Sequence, residues 1–151
     1  MYSSTAFLPD SLMVRLTDTR VNDPEFSWRA AQARARRPKL APGGKLNILA
    51  ADHPARRVTK VGADSLAMAD RRDYLARIVR VLQCSRVDGV MATMDLLEDL
   101  LTLDGLLKQL GAGPLLDGKV LLGSLNRGGL AGTGWEMDDP VTGPTSATCH
   151  A

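Results

Sequence analysis

Three stretches decide the fold: Asn47-Ile48-Leu49-Ala50-Ala51 running into Asp52-His53-Pro54, Val87-Asp88-Gly89-Val90-Met91-Ala92 running into Thr93-Met94-Asp95, and Lys119-Val120-Leu121-Leu122-Gly123 running into Ser124-Leu125-Asn126-Arg127-Gly128-Gly129. Each is a short, nearly continuous apolar run, as expected of a strand covered on both faces. Each ends in polar, chemically capable residues. Helical sequence fills the gaps, and a spacing of roughly 30 to 40 residues suits single right-handed βαβ crossovers. The pattern predicts an α/β fold with about three parallel strands, at 46–51, 87–92 and 119–124, and intervening helices. In such a fold the carboxyl ends of the strands open on one face.

The helices are written between them. Asp70 stands as an N-cap with Asp73 three residues on, a variant of the capping box. Tyr74, Leu75, Ile78, Val79 and Leu82 then repeat at helical spacing and form a face for the sheet. The next helix carries Leu96, Leu97, Leu100, Leu101, Leu103, Leu106, Leu107 and Leu110, is weakened near Gly105 and closes at Gly111. Its leucines are too many and too irregular for a coiled-coil seam, so they signal burial. Upstream, Asp23-Pro24-Glu25 reads as a helix start, with Asp23 at the N-cap and Pro24 at the first helical position. That helix is expected to run to about Arg36, before Pro38. Residues 1–22 show no clear period and are expected to form a flexible N-terminal arm.

Bulk properties exclude several function classes. The 151 residues allow one domain, with 44% hydrophobic and 24% charged residues, ordinary for a globular protein. Aromatic residues make up only 4% and the net charge is only +2, which argues against an RNA-stacking surface or a nucleic-acid partner. The cluster Arg29, Arg34, Arg36, Arg37 and Lys39 reads as the solvated face and frayed end of a helix, with a phosphate- or nucleic-acid-binding arm as the other reading. Cys84 ends an apolar helix and is expected to be a buried small hydrophobe. Cys149-His150 lacks a second ligand pair for zinc, and Asp138-Asp139 reads as a solvated acidic loop, so no metal is expected. No segment approaches the ~18 apolar residues of a membrane span, and no signal pattern opens the chain. A cytoplasmic protein without a membrane partner is expected.

The candidate site lies at the strand ends. Asp52, attached directly to a buried strand, must find a cationic partner or serve in proton transfer. It is the candidate acid/base with His53, although a structural cap for Asp52 and a hydrogen-bonded loop position for His53 are the plainer readings. Thr93, Asp95 and Ser124 should converge with them. Asn126, Arg127 and Gly128 offer an amide, a guanidinium and flexible backbone N–H groups suited to an oxyanion or phosphate. The glycines match no nucleotide-binding fingerprint.

Taken together, Leu49-Ala50-Ala51-Asp52-His53-Pro54-Ala55-Arg56, the stretch from Ser85 to Thr93, and Gly123 to Gly132 followed by Trp135 to Thr145 resemble the N-terminal half of a (β/α)8 (TIM) barrel of the class I aldolase superfamily. That type is related to deoxyribose-phosphate and tagatose-bisphosphate aldolases and is associated with sugar or inositol catabolism. The resemblance implies a partial barrel over residues 23–145 and a lyase that cleaves a carbon–carbon bond through a lysine Schiff base, with no other cofactor. It implies a sugar or sugar phosphate as partner, Asp52 as the carboxylate that handles a substrate hydroxyl or proton, and Asn126 and Arg127 as pocket lining.

The superfamily's lysine comes from about the sixth strand, and none of Lys39, Lys45, Lys60, Lys108 and Lys119 stands at a strand's carboxyl end. A barrel of this type takes about 250 residues. The expectation is therefore a truncated, inactive aldolase-like chain with an aberrant polar tail at 146–151. The alternatives are a small α/β anion-binding module, or a half-barrel that self-associates through its open sheet edge.

Overall fold

The structure is a computed structural model and describes residues 2–124. Its strands are β1 (Ile48–Ala50), β2 (Gly89–Ala92) and β3 (Val120–Gly123), in the order β1-β2-β3 and all parallel. Its helices are α1 (Asp10–Asn22), α2 (Phe26–Ala33), α3 (Arg71–Leu82) and α4 (Met94–Gln109), with short 3-10 turns at Ser4–Ala6 and His53–Arg56. The α/β class and the three parallel strands agree with the sequence pattern. Each strand is two or three residues shorter than its apolar run.

α3 follows its sequence signals closely. The Asp70 carboxylate accepts the Asp73 N–H at 2.7 Å, and Tyr74, Leu75, Ile78, Val79 and Leu82 are all buried. They join Val90, Ala92 and the α4 leucines 96, 97, 100, 103 and 106 in one core on one side of the sheet. Gly105, a weak point in helix propensity, has a packing reason. A Cβ there would lie 2.6 Å from the Phe26 ring and 3.3 Å from the Ala30 Cβ, so its absence lets α2 approach α4.

Two expectations for the N-terminal region are corrected. Residues 10–22 are not an arm but α1, because Leu8, Leu12 and Leu16, four residues apart, form a stripe that is buried in the core. Asp23 does not cap the next helix. Its N–H donates to the Thr19 carbonyl as the end of α1, its carboxylate pairs with Arg29, and the helix beyond it begins only at Phe26 and ends at Ala33.

The basic cluster is more than a solvated face. Arg34 Nη1 donates to the carbonyls of Leu116 (3.1 Å) and Lys119 (2.5 Å), and Arg37 Nη2 donates to Asp88 at 3.0 Å. Asp88 also accepts the Asn47 N–H at 2.8 Å. These bonds tie the amino ends of all three strands together. The hydrogen bond from Asn47, then that from Arg37, holds the Asp88 carboxyl below its usual range. Cys84 is exposed rather than buried, since it falls just past Leu82, the last residue of α3.

The connection from α4 to β3 turns on Asp104, which is fully buried. Its Oδ1 accepts the backbone N–H groups of Leu115 (2.7 Å) and Leu116 (2.8 Å), and its Oδ2 faces Lys108 Nζ at 2.9 Å. Replacing Asp104 by Ala leaves two buried donors and is expected to cost about 3 kcal/mol in urea denaturation. Asp104→Asn keeps an acceptor for both N–H groups and is expected to cost about 1 kcal/mol.

Candidate functional site

Strand register sets the geometry of the site. Ala50 pairs with Met91, and Met91 with Leu122. Two residues further along each strand stand Asp52, Thr93 and Ser124, on the same rung at the carboxyl edge. The ladder reaches this level, with Ala51 N donating to Met91 O at 2.7 Å and Ser124 N to Ala92 O at 3.1 Å. With neighbouring strands ~4.8 Å apart, a carboxylate and two hydroxyl-bearing residues stand side by side.

Asp52 is 4% exposed. Its cationic partner is Arg56, whose Nε donates to Oδ2 at 2.7 Å across the 3-10 turn that begins at His53. Pro54 near the start of that turn fixes its first dihedral, and Arg57 closes it in the left-handed region with φ 60°. The His53 ring is about half exposed, and its Nδ1 lies 3.8 Å from Asp52 Oδ1, too far for a hydrogen bond. The structure thus gives Asp52 a fixed orientation and leaves His53 at the rim.

Tyr74, on the first turn of α3, senses the same carboxylate. Burial first, and the negative charge of Asp52 second, push its hydroxyl up to about 12.

Thr93 is the N-cap residue of α4, and its hydroxyl bonds the Asp95 side chain. Asp95 does not stand free for a ligand. Arg71 Nη1 donates to it at 2.6 Å. Partial burial raises the Asp95 pKa, but the bonds from Thr93 and Arg71 outweigh that and hold it below the usual range. Asn126, Arg127 and Gly128 lie outside the described residues, as do Cys149 and the expected tail.

Sequence reading missed a second cluster. Arg71 Nε and Nη2 both donate to Asp99 Oδ2, at 3.0 and 2.5 Å, while Arg20 donates to Asp99 Oδ1 at 2.7 Å and to Glu98 at 2.9 Å. Asp99 is nearly fully buried, and the group borders an open cavity of about 640 Å³ floored by Met13 and Leu16. Every carboxylate in it faces a guanidinium, so it acts as an ionic clamp joining α1, α3 and α4. The only sequence signal was the run of acids along α4 at Asp95, Glu98 and Asp99. No group of three or more metal-ligating side chains occurs among the described residues. No described helix is long and apolar enough to cross a membrane.

The Asp52–Tyr74 coupling can be measured. In a Tyr2→Phe background, ultraviolet titration should show Tyr74 ionising near about 12. Asp52→Asn should lower that value yet leave it above the ordinary 10.0, because burial is the larger cause. The folded-state value is raised, so this contribution to stability is complete below pH 10.0 and is lost as pH rises through about 12.

Comparison with known proteins places the chain. No curated protein matches it. A crystal structure of Cgl0159 from Corynebacterium glutamicum (Brevibacterium flavum) superposes with a TM-score of 0.76 at 38% sequence identity, covering 91% of this chain and 43% of that one. The chain therefore corresponds to less than half the length of that protein. Residues 44–151, which hold all three strands and Asp52, match the Cgl0159-like family. The chain belongs to the Cgl0159-like family.

Proposed function

We propose that this chain carries the hydroxyl- and proton-handling side of an aldolase-type pocket, its three strands being the opening units of a (β/α)8 barrel of class I aldolase type. The observation that carries the reading is Asp52: a buried carboxylate at the carboxyl end of β1, oriented by Arg56 and level with Thr93 and Ser124. In carbon–carbon lyase chemistry a hydroxyl next to the scissile bond must lose its proton as the bond breaks. A carboxylate held by an arginine at one oxygen can accept that proton at the other. Hydroxyl side chains on the same rung suit a polyhydroxylated or phosphorylated small molecule.

The amine that forms a Schiff base is not supplied from these strands. Lys119 lies at the amino end, where its Nζ donates to the carbonyls of Val87 (2.5 Å) and Cys84 (3.1 Å), and Lys108 is held by Asp104 and Asp117. Lys60 is on the loop between β1 and α3. The chain alone is therefore expected to bind substrate weakly and to leave its carbon–carbon bond intact.

The test is an NMR titration of the 151-residue chain with dihydroxyacetone phosphate. Amide shifts centred on His53, Thr93 and Ser124, lost in Asp52→Ala, are the expected result, together with no covalent adduct after borohydride treatment. Shifts that ignore the Asp52 substitution, or no shifts at saturating ligand, would sink the proposal.

A further inference from the structure

Tyr74 is 8% exposed and belongs to the same core as Ala51, the residue before Asp52. In a parallel β/α unit the helix after a strand starts at the end where that strand stops, so α3 begins beside the carboxyl end of β1. Helical side chains lean toward the helix N-terminus, and a tyrosine on the first turn therefore carries its hydroxyl toward that end. Arg71, three residues earlier and on the same side of α3, marks the same level. Its guanidinium reaches Asp95, two residues past Thr93 at the end of β2.

The Tyr74 hydroxyl has the setting of a binding group rather than of a structural one. It makes no hydrogen bond among the described residues; burial and the charges of Asp52 and Arg71 are what act on it. A buried phenol loses hydration, and no described bond makes up for that loss. Tyr2 is the contrast, since its hydroxyl donates to the Asp73 carbonyl at 3.3 Å and its ring lies under Arg77. With its pKa pushed up to about 12, Tyr74 stays protonated at neutral pH and is able to donate.

Asp52 supplies the complement. A carboxylate only accepts, and Arg56 takes its Oδ2. A donor near an acceptor suits a ligand group that is both, as an alcohol is. A phosphate dianion or a carboxylate has no proton to give Asp52 and brings like charge toward it.

We propose that the Tyr74 hydroxyl is a binding and specificity-determining group of this pocket, donating to the neutral hydroxyl-bearing part of a ligand that Asp52 also holds. The end of β1 then takes the uncharged portion of a polyhydroxylated molecule, and any anionic group of that molecule lies elsewhere. This role rests on the pocket reading of Asp52 and draws on β1 and α3 alone.

The chain has two tyrosines, so isotope labelling at tyrosine Cζ gives two NMR signals, with Tyr2 as the internal control. Dihydroxyacetone should move the Tyr74 signal and leave that of Tyr2 in place, whereas inorganic phosphate should move neither. Tyr74→Phe keeps the ring and should leave the urea midpoint unchanged, because no bond within the fold is lost. It should weaken dihydroxyacetone binding about fivefold, read from the His53 and Thr93 amides. Suppose those amides respond while the Tyr74 signal stays still and Tyr74→Phe binds equally well. The role of Tyr74 is then overturned and the pocket stands. If the amides respond neither to dihydroxyacetone nor to its phosphate, the pocket reading fails and this role fails with it. A Tyr74 signal that phosphate moves more than dihydroxyacetone does overturns the selectivity. A lowered urea midpoint in Tyr74→Phe overturns the binding role in favour of a structural hydroxyl.

Discussion

β2 is hydrogen-bonded on both sides, and the rest of the molecule is placed from it. Gly89 opens this strand opposite both Ile48 and Val120, and a Cβ at that position would overlap the Val120 carbonyl. The missing side chain is what allows β3 to close on β2. Just before it, Asp88 fastens Asn47 and Arg37, which sets where β1 enters. Just after the strand, Thr93 stands at the N-cap position of α4 and its carbonyl accepts the Leu97 N–H at 2.9 Å, which starts the helix that carries most of the core. A few backbone contacts along one short strand thus fix both neighbours and the main helix.

The two ends of the sheet use charge differently. At the amino end, Arg34, Arg37 and Lys119 satisfy carbonyls and Asp88 of neighbouring segments, so their role is to hold the sheet together. This is why an otherwise suitable amine, Lys119, has no part in the proposed chemistry. At the carboxyl end the Asp52–Arg56 pair is local to one turn, and the rung beside it carries hydroxyls. Stability at one end and variable chemistry at the other is the usual arrangement in parallel β/α architectures. The Arg20–Arg71–Asp99 clamp belongs with the structural set, since it lies between helices and its carboxylates are all engaged.

The strands and α3 were legible because their signals are local: apolar runs of strand length, an Asp cap with its partner three residues on, and a buried face at helical spacing. That Asp52 is a strand-end carboxylate in need of a cationic partner was legible for the same reason. α1 was not, because its buried stripe is one residue wide, Leu8, Leu12 and Leu16, and the apolar residues Val14 and Val21 beside it are exposed, which blurs the period. Asp23-Pro24 then misled, since the Asp23 N–H completes the helix before it rather than opening the one after. The partners of Asp99 stand 28 and 79 residues away, a distance that no periodicity encodes. Arg56 lay in the quoted motif four residues after Asp52, yet only the observed 3-10 turn brings the two together.

The leucine density of α4 finds its explanation in the N-terminal helices. A helix laid on one face of a sheet needs a single apolar stripe, but α4 buries Leu96, Leu97, Leu100, Leu103 and Leu106 together with Thr102. α2 packs on it at Gly105 through Phe26 and Ala30, and α1 is clamped to it through Arg20. α4 is therefore the middle layer, with the sheet on one side and α1 and α2 on the other. The superposition with the Corynebacterium glutamicum protein covers 91% of this chain, more than residues 44–151 can supply. At least part of the N-terminal segment therefore has a counterpart there. That fits helices required by the broad buried surface of α4 rather than appended to a finished domain.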